Sequence, residues 1–191
     1  MLNAAGQMAT FYGIPGGMGA GMTDSKLPDN QAGFEKALTM LTASLSGSGF
    51  VLESVGMLAS LIGCSLEAMV IDNDMLTSIR RILRGIEVTD ETLSVDVIKQ
   101  VVEGPGHFLG TGQTLDLMNT EYVYPQQADR RTPDDWFEGG ANDMWKRAEE
   151  KAREVLAQHR PIQIDPETDA RIRAGFPIRL PPVWQGGELI F

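Results

Sequence analysis

The sequence predicts an α/β fold of successive parallel βα units. Two observations carry that reading: short apolar runs alternate with stretches of helical period, and glycines stand at the joins between them. In folds of this kind the chemistry sits at the C-terminal ends of the strands. Functional side chains are therefore expected in the segments that follow the two strand candidates, residues 22–31 and 53–63.

Taken in order, residues 2–12 suit a helix that ends at Gly13 and Pro15. Residues 16–22, rich in glycine, suit a short strand whose backbone approaches a neighbour closely. Phe34, Leu38, Leu41 and Leu45 recur at intervals of four, three and four, which places them on one helical stripe. Gly47 and Gly49 stop that helix, and Phe50, Val51 and Leu52 follow as a short buried strand. The remainder reads as mainly helical. Leu66, Met69, Val70, Leu76, Ile79 and Leu83 form a second apolar stripe, within which Asp72, Asn73 and Asp74 mark a kink or a fresh helix start.

Thr89 or Asp90 caps a further helix that runs through Val101 and ends at Gly104, Pro105 and Gly106. Thr132, Pro133, Asp134 and Asp135 place a capping hydroxyl, a first-turn proline and two acids at a helix start, and Asp165, Pro166 and Glu167 repeat the device. Between them Met144, Ala148, Ala152, Val155 and Leu156 supply a packing face. The opposite face mixes both signs, with Glu149 four residues before Arg153, as a solvated surface does. After Phe176, the prolines at 177, 181 and 182 predict extended chain.

A chain of 191 residues suffices for one or two domains with a sizeable core. Its 16 Lys and Arg against 26 Asp and Glu give a formal charge of -10, which argues against a nucleic-acid partner. The single cysteine, Cys64, cannot form an internal disulfide, and no secretory segment is legible, so a reducing cytoplasm is expected. The longest mostly apolar run, residues 51–62, is interrupted by Glu53, Ser54, Gly56 and Ser60 and falls short of the roughly 20 residues that span a bilayer. No membrane association is expected.

Few residues carry a chemical signal by themselves. Glu53 stands directly after the second strand candidate, where it either caps the strand end or points into a strand-end mouth. Asp24, Ser25 and Lys26 follow the first candidate, with a helix N-cap or a turn as the alternative role for Asp24 and Ser25. His107 lies with Phe108 in a glycine-rich loop and lacks partners at metal-ligand spacing, so no metal site is expected. Tyr122, Tyr124 and Trp136 suit either aromatic walls or packing, and His159 suits a partner for a helix C-terminus. The glycine run at 16–21 lacks the Lys-Ser/Thr of a phosphate loop and the spacing of a dinucleotide fingerprint.

Three blocks give more. The stretch Gly104-Pro105-Gly106-His107-Phe108-Leu109-Gly110-Thr111-Gly112-Gln113-Thr114-Leu115 is followed by Glu121-Tyr122-Val123-Tyr124-Pro125 and by Asp129-Arg130-Arg131-Thr132-Pro133-Asp134-Asp135-Trp136-Phe137-Glu138-Gly139-Gly140. Upstream stand the block that begins Met22-Thr23-Asp24-Ser25-Lys26-Leu27-Pro28-Asp29-Asn30 and the block from Val70-Ile71-Asp72-Asn73-Asp74 to Arg84-Gly85-Ile86-Glu87-Val88. In this order they resemble the trimethylamine:corrinoid methyltransferase family over residues 2–177. Members of that family are barrels well over twice this length, so the resemblance implies the C-terminal part of a TIM-type (β/α)8 barrel with additional C-terminal helices. Residues 1–103 would supply the last βα units, and residues 104–191 a C-terminal helical extension and tail of the same domain.

The resemblance also implies a function: transfer of a methyl group from a methylated amine, trimethylamine or a quaternary amine such as glycine betaine, to the cobalt of a corrinoid protein. The corrinoid, of cobalamin type, would be carried by that partner and not bound tightly by this chain. The implied catalytic residues are Lys26 and Glu53, and the implied substrate-binding residues Asp24, Ser25, Glu53, His107 and Phe108. Glu53 would hold the amine cation. Relatives acting on quaternary amines are expected to carry a histidine near this position, which counts against a betaine-type substrate. Trimethylamine-specific members carry pyrrolysine in a loop of the C-terminal half, the general region of Lys26; an ordinary lysine lacks that electrophile and favours the non-pyrrolysine branch. A partial barrel would pair with a second copy or with a missing N-terminal half. The alternative is a non-catalytic remnant of a truncated or split gene that binds an amine or a partner.

Overall fold

The computed structural model describes residues 1–158 and 164–179; His159, Pro181 and Pro182, for which a helix-end role and extended chain were expected, lie outside them. The chain divides into two compact units, Met1–Leu156 and Ala157–Phe191. No helix among the described residues is long and apolar enough to cross a membrane.

The first unit opens with α1 (Leu2–Tyr12), closed by Gly13 in the left-handed conformation as the sequence predicts. Strand β1 (Gly17–Gly19) follows, narrower than the expected 16–22 segment, and pairs in parallel with β2 (Phe50–Leu52). Helix α2 (Asn30–Leu45) connects them, so the three form one βαβ unit. Gly17 lies opposite Phe50, and a Cβ at Gly17 would fall 2.3 Å from the Phe50 ring, so only glycine lets the ring lie across β1. A hairpin of β3 (Met57–Leu58) and β4 (Gly63–Cys64) leads into α3 (Leu66–Arg84), whose first turn is capped by Ser65. The architecture is mixed and helix-dominated, with few strands.

The core forms where α2 and α3 cover the strand pair. Met18, Ala20, Met40, Ala43 and Ile79 are buried together, with Leu41, Val51, Met75 and Leu76 packed against them. Two expectations fail here. β2 is not a buried strand: Phe50 and Leu52 are about half exposed. Of the stripe of Phe34, Leu38, Leu41 and Leu45 only Leu41 packs against the core; Phe34 is 68% exposed, and the helix turns Ala32, Lys36, Met40 and Ala43 inward. Ala32 and Ala43 let α2 approach the strands and α3 closely, and Phe34, Leu38 and Leu45 stay exposed.

Nor do Asp72, Asn73 and Asp74 break a helix, because α3 runs through them. An aspartate disrupts a helix when its carboxylate bonds its own backbone, but here both carboxylates are engaged from afar. Asp72 accepts from Lys36 and from the Gly56 amide, and Asp74 accepts from the amides of Gln126, Gln127 and Ala128 at 2.8, 3.0 and 3.1 Å.

Past α3, the single helix expected from residue 89 or 90 to 101 is two: α4 (Asp90–Leu93) and α5 (Val95–Glu103), separated by Ser94 in the left-handed conformation. Thr89 caps α4 in a box with Thr92. The sequence reading missed α6 (Gly112–Met118), which begins at the capping hydroxyl of Thr111. Helices α7 (Pro133–Glu138) and α8 (Met144–Gln158) follow, α7 starting at the expected Thr132 cap. Ala148 and Ala152 of α8 are buried, whereas Val155 and Leu156 are about half exposed. The outer face of α8 carries the predicted mixed pairs, Lys146–Glu149 and Glu149–Arg153 each at 2.9 Å, of the exposed kind that contributes little. In the second unit, α9 (Pro166–Gly175) starts at Asp165, whose carboxylate accepts from the Thr168 amide at 2.9 Å.

Arg147 of α8 and Asp74 of α3 hold residues 126–131 from two sides. The guanidinium donates to the Gln127 carbonyl at 2.6 and 3.1 Å and to that of Asn142. Beside it Arg131 holds the Asp129 carboxyl down to about 2, from an ordinary 3.8. A carboxyl depressed in the folded state supports folding above its unfolded value and loses that support as pH falls through the folded one. Carboxyl carbon NMR of Asp129 is thus expected to titrate near pH 2, and Asp129→Asn to weaken, without abolishing, the pH dependence of acid unfolding between about 4 and 2, because other depressed carboxyls remain. A titration midpoint near 4 would contradict the Arg131 contact.

Candidate functional site

Because β1 and β2 are parallel, their C-terminal ends lie side by side, and the chain leaves both through irregular loops. The first loop, residues 20–29, is tightly bonded. The Glu35 carboxylate of α2 reaches back to accept from the Thr23 hydroxyl at 2.5 Å and the Asp24 amide at 2.9 Å, and these donors, with Gln31, hold its pKa below the usual carboxylate value. The N-cap of α2 is Asp29, which accepts from the Ala32 amide at 3.0 Å. Ala32 foremost, together with the Ser25 hydroxyl, lowers the Asp29 carboxyl in turn.

The second loop carries unusual backbone. Glu53, Ala59, Ser60 and Leu61 all have positive φ, at 59, 50, 53 and 72°, as does Gly56 at 77°. Non-glycine residues in the left-handed region are rare, cost free energy, and cluster at functional sites when the surroundings enforce them. For Ala59 and Ser60 the enforcing contacts come from the first loop. Ala59 and Ser60 amides donate to the carbonyls of Ser25 and Thr23 at 2.8 and 3.0 Å, and the Ser60 hydroxyl donates to Asp24.

The structure thus brings Asp24, Ser25, Lys26 and Glu53 to one end of the strand pair. Glu53 is exposed; a Cβ at Gly19 would lie 3.5 Å from its Oε2 and 3.1 Å from the Met22 methyl, so the carboxylate leans from the end of β2 across the end of β1. Among the described residues no hydrogen bond reaches the Glu53 side chain. Lys26 is exposed and donates to the Asp24 carbonyl at 2.9 Å. Ser25 is buried, its Oγ lying 2.8 Å from Asp29 Oδ1 and 2.9 Å from the Leu27 carbonyl, a turn geometry that suits loop shaping.

His107 and Phe108 are not joined to this cluster by any hydrogen bond or ring contact among the described residues; both are exposed between α5 and α6. Tyr124 donates to the Met118 carbonyl and Trp136 to that of Asn142, each at 3.0 Å, with Trp136 set edge-on to Phe137 at 5.0 Å. Both bonds reach backbone six residues away in sequence. No three His, Cys, Asp or Glu side chains converge to hold a metal among the described residues.

Beneath the loops lies a feature absent from the sequence reading. Lys36 and Asp72, on α2 and α3, form a buried ion pair at 2.5 Å, with side-chain exposures of 2% and 4%. Burial pushes the Asp72 carboxyl up, against the pull of Lys36 and the Gly56 amide. The signal was faint but present: each charge interrupts a row of small or apolar residues at helical spacing, Ala32-Lys36-Met40 and Ala68-Asp72-Ile79. The pair lines a cavity of about 650 Å³, together with Asp29, Ile71 and Trp145.

The chain belongs to the trimethylamine methyltransferase (MTTB) family, whose model matches residues 1–179. The resemblance read from the three sequence blocks is therefore correct at the level of family. Among its relatives, a glycine betaine methyltransferase of Desulfitobacterium hafniense (strain Y51) is 33% identical over 173 residues, 91% of this chain and 36% of that protein. The trimethylamine methyltransferase MttB of Methanosarcina thermophila is 38% identical over 162 residues, 85% of this chain and 33% of that protein. MttB1 of Methanosarcina mazei is 39% identical over 161 residues, 83% and 32% respectively. The chain spans about a third of the length of these curated relatives and corresponds to their C-terminal part.

Proposed function

We propose that the chain supplies the C-terminal βα units and helical extension of a TIM-type methyltransferase barrel, acting in the cytoplasm, with residues 1–103 in the barrel and 104–191 outside it. Its strand-end mouth would hold a methylated amine whose methyl group passes to a corrinoid on a partner protein. The observation that carries this reading is Glu53, a carboxylate with no hydrogen-bond donor among the described residues, held by left-handed backbone at the C-terminal ends of two parallel strands. The family supplies the substrate class.

An ammonium cation attracts an unpaired carboxylate most strongly where water is partly displaced, and the Met22 methyl beside Glu53 offers apolar contact to N-methyl groups. Glu53 thereby fixes the nitrogen, and Lys26 and Asp24 border the same mouth. The residues fit the amine end of the reaction; a corrinoid carried by a partner protein would supply a nucleophilic metal that accepts the methyl group. In the transfer the C–N bond breaks with its electron pair staying on nitrogen, so a cationic amine leaves as a neutral one. Holding the cation with one methyl turned outward is this chain's contribution.

Methyl transfer to the reduced corrinoid partner, followed by cobalt absorbance, tests the proposal. Activity is expected when the chain is combined with the N-terminal barrel portion of a relative and is not expected from the chain alone. In the combined protein, Glu53→Gln should weaken amine binding by about tenfold to a hundredfold, the worth of one charge-assisted contact. Full activity of Glu53→Gln would overturn the assignment.

A further inference from the structure

We propose that the buried Lys36–Asp72 pair is a latch that sets the backbone of the Glu53 loop, which makes Asp72 a positioning residue for the site; the functional meaning of the latch rests on the reading above. Asp72 Oδ2 accepts two hydrogen bonds, from Lys36 Nζ at 2.5 Å and from the Gly56 amide at 2.8 Å. Gly56 is three residues past Glu53, and its carbonyl accepts from the Ser65 amide at 3.0 Å, so both of its polar groups are fixed. Its φ of 77° and the Met69 side chain, 2.5 Å from where a Cβ would stand, permit only glycine there. The segment between is gripped as well, since the Ser54 carbonyl packs against Gly21 at the end of β1.

One carboxylate oxygen therefore ties three elements together: the crossover helix α2 through Lys36, α3 on which it stands, and the loop that carries Glu53. Replacing a buried ion pair by apolar residues is often neutral or stabilising, so stability alone does not account for a charge pair at this depth. What an apolar pair cannot supply is an acceptor for the Gly56 amide. Without it, that buried donor is left unpaired, and the loop that carries the left-handed Glu53 loses an anchor three residues away.

Hydrogen exchange on the 191-residue chain distinguishes a latch from a structural pair. Two doubly substituted chains, each neutral at both sites, are compared: Lys36→Met/Asp72→Leu, which has no acceptor, and Lys36→Met/Asp72→Asn, which keeps one. The first is expected to exchange about tenfold faster across residues 53–61, with α2 and α3 unchanged, and the second to restore the protection. Unchanged exchange across the loop in the leucine variant, a uniform rise that includes both helices, or no rescue by asparagine would each overturn the proposal. The readout uses no amine, so a failure of the methyltransferase reading leaves it intact. If that reading holds, trimethylamine affinity in the reconstituted barrel should fall in the leucine variant and recover in the asparagine one.

Discussion

Lys36→Met alone is expected to cost about 3–5 kcal/mol in urea unfolding at neutral pH, because it strands the Asp72 carboxylate in the interior without its cation. The side chain it leaves behind is 4% exposed, and the remaining Gly56 amide offers one hydrogen bond where two were made. The loss should depend on pH in a definite direction. Burial already lifts the Asp72 carboxyl above its ordinary 3.8, and removal of Lys36 takes away the largest opposing contact. A carboxyl raised in the folded state favours folding most below its unfolded value, and that advantage disappears as pH rises through the folded value. The variant should therefore suffer least near pH 4 and most at pH 7. Adding Asp72→Leu should recover most of the stability, since the unpaired charge is then gone. An equal loss at both pH values would contradict a buried charge as the cause.

Gly21→Ala is expected to cost about 2–4 kcal/mol by the same measurement. Gly21 has a φ of 83°, where an added Cβ strains the backbone by about 1–2 kcal/mol. The Cβ would also stand 2.6 Å from the Ser54 carbonyl oxygen and 2.9 Å from the Met40 side chain, adding an overpacking cost of about 1–3 kcal/mol. Backbone cannot move aside as a flexible side chain can, and the Gly21 amide is held by Thr39 Oγ1 at 3.1 Å. Gly33→Ala provides the contrast: it lies within α2 with nothing inside 4 Å of the new methyl group, so it should stabilise by about 0.5–1 kcal/mol. Similar urea midpoints for the two variants would refute the packing account.

These sites show where sequence reading succeeds and where it stops. Boundaries written in local chemistry were legible: Gly13 ending α1, Thr132 and Pro133 opening α7, and Asp165 and Pro166 opening α9. The strand–helix–strand order around α2 was legible too, because glycine joins and helical period are both local. The inward face of α2 was not, since periodicity ranks faces by apolar bulk whereas close packing on a strand pair favours Ala32, Lys36 and Ala43. The continuity of α3 through Asp72 and Asp74 depended on partners at Lys36 and Gln126–Ala128, far along the chain. Ser94 broke a predicted helix without a glycine or proline to announce it.

The candidate site divides in the same way. Its location after the two strands followed from fold logic, and Glu53 stands there. The left-handed backbone beneath it, the Glu35 brace on Thr23 and Asp24, and the Asp72 bond to Gly56 arise from tertiary contacts with no local motif. His107 and Phe108 drew attention as a rare histidine in a glycine-rich loop, yet no contact joins them to Glu53 among the described residues.

The most direct test is calorimetric titration with trimethylamine, glycine betaine and carnitine, run on the chain alone and again with an N-terminal barrel portion supplied. Binding of at least one amine that requires the added portion and is lost in Glu53→Gln is the predicted result. Absence of binding under both conditions, or binding indifferent to Glu53, would contradict the assignment of the strand-end mouth as an amine-cation site.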